Sequence, residues 1–184
     1  MSTLTYLKSF IKDKKVASVT PSSKFCVKRV CKKIDFDRKN IIVEYGPGTG
    51  VYSRYLLERL TPESELILIE TNDKFVEKLR EMNDPRVTVH QESVEHLRAL
   101  LGESYRGKVN YIISGIPFSF LEEGVKMNIL DVSRQFLAPD GKFLAYQTSG
   151  HLKEPLRETF GNLRTEMEWL NIPPMMIYEA VKGE

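Results

Sequence analysis

The sequence predicts a doubly wound α/β fold: five parallel strands and a C-terminal antiparallel hairpin, with helices on both faces. Three observations carry this expectation. After residue 40, short β-branched runs alternate with helical patterns, as βαβ units require. The first of these runs ends in a glycine-rich turn, Gly46-Pro47-Gly48-Thr49-Gly50. Near the C-terminus two strand-like runs, over 164–170 and 175–181, are separated only by Asn171-Ile172-Pro173-Pro174. A parallel pair needs a crossover of about a dozen residues, so these two must be antiparallel, one of them running against the rest of the sheet.

The elements follow in order. A strand over 40–45 enters the glycine turn, and a helix over 51–60 leaves it and stops at Thr61-Pro62. A second strand over 65–70 precedes a helix running to Met82, with Asn72 or Asp73 as its cap. A strand over 86–90 leads to a helix over 94–101, and a strand over 108–114 to a long helix over 122–136. Ala138-Pro139-Asp140-Gly141 reads as a turn before a fifth strand over 142–148. With 184 residues, 41% hydrophobic and 28% charged, the chain can bury the core that this fold needs. Its longest apolar runs are far below a membrane span, and residues 1–10 lack the pattern of a secretory signal. Cys26 and Cys31 have neither zinc-knuckle nor redox spacing, so two reduced thiols in a cytoplasmic protein, and no metal, are expected.

Charge divides the chain in two. Residues 1–40 hold eleven Lys/Arg against three Asp/Glu, whereas the rest hold 16 against 22. A basic N-terminal helical segment, 1–39, therefore precedes a ligand-binding domain, 40–184. Leu4, Leu7 and Ile11 recur at helical spacing beside Phe10, with Lys8, Lys12, Lys14 and Lys15 as a basic face. Such a helix over 1–15 suits an anionic membrane surface, and peripheral membrane association is expected from it. Packing of this helix against the domain is the alternative, and RNA is the less favoured polyanionic partner.

The glycine turn carries most of the functional signal. Gly46, Gly48 and Gly50 let a ligand approach the backbone, but their spacing is neither a dinucleotide fingerprint nor a Walker loop. Pro47 removes an amide that a phosphate cradle would use, and Glu44, just before the turn, would repel a pyrophosphate. A cationic ligand is favoured. S-adenosylmethionine (SAM) carries a sulfonium and an α-ammonium and fits this requirement. Glu70, with Thr71 behind it, ends the second strand, where an acid can accept from both ribose hydroxyls. In the cluster His90-Gln91-Glu92-Ser93, after the third strand, Glu92 and Ser93 are the candidates to meet the adenine.

On these residues the sequence resembles class I SAM-dependent methyltransferases, with their Rossmann-like methyltransferase sheet. Within the class it most resembles bacterial phospholipid N-methyltransferases, which convert phosphatidylethanolamine to phosphatidylcholine. The shared runs are Ser18-Val19-Thr20-Pro21-Ser22-Ser23, Val43-Glu44-Tyr45-Gly46-Pro47-Gly48-Thr49-Gly50, Ser114-Gly115-Ile116-Pro117-Phe118 and Trp169-Leu170-Asn171-Ile172-Pro173-Pro174. It is also similar to rRNA adenine N6-dimethyltransferases. Those carry an Asn after the fourth strand to hold the target amine, and here that position is Gly115. The resemblance thus implies a phospholipid amine as acceptor, ahead of RNA.

Methyl transfer to an amine requires alignment, exclusion of water and loss of one proton. Tyr45, Tyr52, His151 and Glu44 are candidates for receiving that proton. Tyr45, Tyr52, Phe118 and Phe120 are candidates for an aromatic cage around a methylated ammonium. Ser114, which also borders the cofactor position, and Pro117 are expected to shape the pocket floor.

Overall fold

The computed structural model describes residues 22–183. The expected N-terminal helix over 1–15 and the run from Ser18 to Pro21 lie outside the described residues. Seven strands form one sheet: β1 (Ile41–Tyr45), β2 (Glu65–Glu70), β3 (Val87–Gln91), β4 (Val109–Ser114), β5 (Leu137–Gln147), β6 (Asn162–Glu168) and β7 (Met175–Val181), in the spatial order β3-β2-β1-β4-β5-β7-β6. Strands β1 to β5 pair in parallel. β7 is antiparallel to both β5 and β6, so it alone runs against the sheet. The predicted fold class is the observed one, with the reversed strand inside the hairpin and β6 at the edge.

Helices α1 (Lys24–Cys31), α2 (Val51–Leu57), α3 (Asp73–Arg80), α4 (Leu97–Leu101), α5 (Glu123–Phe136) and α6 (Lys153–Phe160) cover the two faces. Strand alternation sorts the core into two clusters. Val43, Tyr45, Ile112 and Phe143 face α4, α5 and α6. Ile42, Leu68, Ile113 and Leu144 face α1, α2 and α3. Each of these side chains contributes about 1.5–3 kcal/mol by leaving water. Helix α1 belongs to the second cluster through Cys26, Val27, Val30 and Cys31, so this part of the basic segment shares the core of the sheet. Both cysteines are free thiols, and burial pushes each thiol pKa up.

Several boundaries differ from expectation. The helix over 94–101 begins as a 3-10 turn, Val94–His96, because Ser93 caps it by accepting from the Glu95 amide at 3.3 Å. The expected turn at 138–141 is part of β5: Leu137 pairs with Val109, Asp140 donates its amide to the Lys182 carbonyl just past β7 at 3.1 Å, and Lys182 donates to the Gly141 carbonyl at 2.9 Å. Asn72 is the α3 cap, accepting from Lys74 and Phe75.

The strand order reverses between β1 and β4, and the crevice outside the carboxyl ends at such a point is where open α/β sheets bind ligands. Helix α1 runs down from that edge. Its N-cap Ser23 donates its amide to Asn171 Oδ1 in the β6–β7 loop at 2.8 Å, and Arg29 meets Glu168 at 2.7 Å. Further along, Lys33 pairs with Glu166, and with Glu179 at 3.1 Å. These ties fix the hairpin tip beside the carboxyl edge.

Candidate functional site

Backbone bonds stitch the loops of the carboxyl edge into one rim. Gly115 donates to the Tyr45 carbonyl at 2.9 Å, Gly46 to Ile69 at 2.9 Å, and Glu92 to Glu70 at 3.1 Å. The segments after β1, β2, β3 and β4 therefore adjoin, and Gly46, Pro47, Gly48, Gly50, Glu70, Thr71, Glu92 and Ser114 come to one edge. Within the glycine turn, Pro47 supplies its carbonyl to the Gly50 amide at 2.9 Å. Gly50 holds φ +79°, a left-handed conformation that favours glycine, and a Cβ there would also press on Leu79 Cδ2 of α3 at 3.0 Å. A Cβ on Gly48 would meet nothing within 4 Å, leaving open space above this part of the turn.

Two carboxylates frame that space. Glu70 accepts from the Thr71 and Asn72 amides on one oxygen, at 2.8 and 2.9 Å, and from Gly48 on the other, at 3.0 Å. It thereby ties the glycine turn to the end of β2. Glu44 is fully buried. Ser53 donates to its Oε2 at 2.7 Å, while its Oε1 has no hydrogen-bond partner among the described residues. Burial pushes Glu44 up to about 7 from its ordinary 4.5. An orphaned buried carboxylate oxygen beside an open glycine turn fits a cationic ligand, which supplies the missing partner.

The Glu44 shift predicts a pH dependence of stability. Between about pH 4.5 and 7 the folded chain keeps a proton that the unfolded chain has released. Stability of the ligand-free protein should therefore fall as pH rises across this window, by at most about 3 kcal/mol, and level off above it. In Glu44→Gln that slope should vanish. Urea denaturation of both proteins at several pH values checks it, and identical slopes would refute the assignment.

Glu92 is half-exposed, accepting from the Ser93 amide at 2.8 Å and contacting His96 Nδ1 at 3.1 Å. The Ser93 amide first, and His96 after it, hold its carboxyl below the usual range. Ser93 itself is buried, with its hydroxyl committed to Glu95 as the helix cap.

Three further expectations change. Tyr45 does not face the rim. Its ring lies in the core over α5 and its hydroxyl meets Ser133 Oγ at 2.9 Å, so it is neither proton acceptor nor cage wall. Phe118 is fully buried and packs edge-on against Phe143 at 6.3 Å, which removes it from the cage as well. His151 sits exposed in the 3-10 turn Gly150–Leu152 after β5, and no hydrogen bond or ion pair ties it to the glycine turn or to Tyr146 among the described residues. Ser114 Oγ is buried without a hydrogen-bond partner among the described residues at the end of β4, and Pro117 follows it, half-buried.

The residue that sequence reasoning missed is Tyr146. It lies beside Gly115 at the end of β5, and a Cβ on Gly115 would stand 2.3 Å from its hydroxyl oxygen. Its ring stacks on Tyr52 at 4.5 Å and 15°. Burial first, and then the nearby Glu44 carboxyl, raise its pKa well above 10, so the phenol stays neutral. Gln147 donates to the Ile116 carbonyl at 2.8 Å and steadies the loop after β4.

Sheet order, glycine turn and acidic rim together define a SAM-dependent methyltransferase. The chain belongs to the methyltransferase domain family, whose profile matches residues 42–141. Over 166 residues it is 25% identical to the ornithine lipid N-methyltransferase of Singulisphaera acidiphila, covering 89% of this chain and 86% of that protein. Among solved structures, it superposes on the 1,6-didemethyltoxoflavin-N1-methyltransferase of Burkholderia thailandensis, determined with 1,6-didemethyltoxoflavin and S-adenosylhomocysteine, with a TM-score of 0.74 at 13% identity over 98% of this chain and 86% of that one. The CurJ carbon methyltransferase gives a TM-score of 0.67 at 19% identity over 98% of this chain, which spans 58% of that protein's length. SAM is the cofactor.

Proposed function

We propose that the chain transfers methyl groups from SAM to the amine of a lipid head group, with phosphatidylethanolamine and its methylated forms as the preferred acceptors. The observation that carries this reading is the pairing of Gly115 with Tyr146. Where an adenine-modifying enzyme would place an Asn side chain, this chain has no side chain, and a neutral phenol from β5 occupies the space. The Singulisphaera relative, a lipid N-methyltransferase, supports the same direction.

SAM supplies an electrophilic methyl group on a sulfonium. Glu44, Gly46, Pro47, Gly48, Gly50, Glu70 and Thr71 hold it, and Glu92 meets its adenine end. The acceptor amine arrives protonated near neutral pH and must expose its lone pair. The Tyr146 hydroxyl, which has no hydrogen-bond partner among the described residues, accepts one N–H and orients the nitrogen across the end of β4. Ser114 and Pro117 shape the floor beneath it. The Tyr146 ring, backed by the buried Tyr52 on which it stacks, offers aromatic surface that suits a methylated ammonium better than water does. The released proton leaves to solvent water at the open rim.

Incubation with labelled SAM and a total lipid extract, followed by chromatography, tests the reading. Label in amine-bearing phospholipids is expected, and label confined to an amino-acid lipid would move the head group to that class. A protein that binds SAM yet labels no lipid would end the proposal.

A further inference from the structure

The β6–β7 loop reverses the usual arrangement of a surface loop. Its polar residue, Asn171, is tucked in at 2% exposure, accepting from the Ser23 amide and donating to the Pro173 carbonyl at 2.8 Å. Its large apolar residues point outward: Trp169 is 71% exposed, Leu170 62% and Ile172 81%. Isolated exposed apolar side chains are ordinary, but three within four residues on one rigid tip are not. Phe25, also exposed, stands two residues from the Ser23 that binds this loop. No charged residue occurs from Trp169 to Met176.

Cations flank this apolar tip. Lys24 and Lys28 are exposed on α1 and have no ion-pair partner among the described residues. The nearby acid, Glu168, is buried and already held by Arg29. Because β6 runs parallel to β1, its end brings the tip to the sheet edge that carries the cofactor rim. A tryptophan-led apolar tip beside unpaired lysines is the chemistry that enters the interface of an anionic bilayer.

We infer that the β6–β7 tip, with Phe25, Lys24 and Lys28, is a membrane-docking surface that seats in an anionic lipid interface and turns the carboxyl edge towards the bilayer. The inference rests on the lipid reading for its purpose, though not for its geometry.

Trp169 is the only tryptophan in the chain and reports on its own insertion. With vesicles of phosphatidylglycerol and phosphatidylcholine, its emission should shift to the blue and be quenched by lipids brominated along the acyl chain. Leu170→Ser with Ile172→Ser keeps the reporter and should raise the lipid concentration for half-maximal binding at least tenfold, and Lys24→Gln with Lys28→Gln should do so severalfold at low salt. Methyl transfer to a short-chain aminophospholipid, kept below its micellar concentration, should be equal in wild type and both variants. Sedimentation with vesicles while Trp169 stays unquenched would overturn the inference, as would no vesicle binding at all. So would a lipid-independent, concentration-dependent blue shift that marks self-association, or quenching by structured RNA and not by lipid. Transfer to the short-chain lipid without vesicle docking leaves the proposed function standing, whereas docking without transfer to any lipid leaves only the surface.

Discussion

Glu70→Ala is expected to weaken SAM binding at least a hundredfold, equivalent to about 3 kcal/mol. The carboxylate stands at the end of β2 at 6% exposure and accepts three backbone amides, those of Gly48, Thr71 and Asn72. Hydrogen bonds to a charged acceptor contribute about 1.5–3 kcal/mol each when buried, less where water can replace them. Alanine would therefore do two things: remove the acceptor for the ribose hydroxyls and release the glycine turn from β2. Isothermal titration with SAM reads the combined loss, and urea denaturation reads the second part alone, expected at about 1–2 kcal/mol. In Glu70→Gln one oxygen still accepts, but the amide NH2 faces a backbone N–H where the second oxygen stood, so stability should fall along with binding. Unchanged SAM affinity in Glu70→Ala would remove this residue from the cofactor site.

Much of this rim was legible in the sequence because turns and strand ends have local signatures. The run from Glu44 to Gly50 announces a strand, a tight turn and a helix by residue type alone, and Glu70 falls at the next strand end by period. The four-residue separation of β6 and β7 forced an antiparallel pair. Side-chain direction was less legible. Tyr45 and Phe118 lie next to the right loops, but alternation places Tyr45 with Val43 on the α5 face, and Phe118 folds back onto Phe143. Period two separates the faces of a strand without saying which face opens to the site. Helix α6 went unassigned, although Leu152, Leu156 and Phe160 repeat every four residues and all are buried. Pro155 obscured it, yet proline is tolerated in a first turn, where amides lack helical acceptors anyway. Tyr146 had a usable signal as well. An aromatic at the penultimate position of the strand next to Ser114-Gly115 must stand beside that glycine once the two strands are aligned, as the pairing of Ser114 with Ala145 requires.

That neighbour relation makes Gly115→Ala the most informative change at the acceptor side. The added methyl carbon would lie 2.3 Å from the Tyr146 hydroxyl oxygen, 2.8 Å from Cζ and 3.3 Å from the Gly46 carbonyl oxygen. The Tyr146 ring cannot simply withdraw, because Tyr52 stacks on it at 4.5 Å and Tyr52 is itself 2% exposed. Either the ring swings away from the end of β4 or the strand end yields. Overpacking of this kind costs about 1–3 kcal/mol of stability, so the variant should fold. Methyl transfer should fare worse, with kcat/KM falling about a hundredfold, since small misplacement of an acceptor costs that much in an in-line displacement. SAM affinity should change no more than a few-fold, because Glu44, Glu70 and Gly48 are untouched. Tyr146→Phe isolates the hydroxyl: it leaves the stack with Tyr52 intact and should lower kcat about tenfold or more, by removing one hydrogen bond to the amine. Adding Tyr146→Phe to Gly115→Ala removes the nearest clashing atom and keeps the stack on Tyr52, so it should restore part of the stability without restoring transfer. If Gly115→Ala turned over at the wild-type rate, Tyr146 would be a packing residue and the amine would bind elsewhere on the rim.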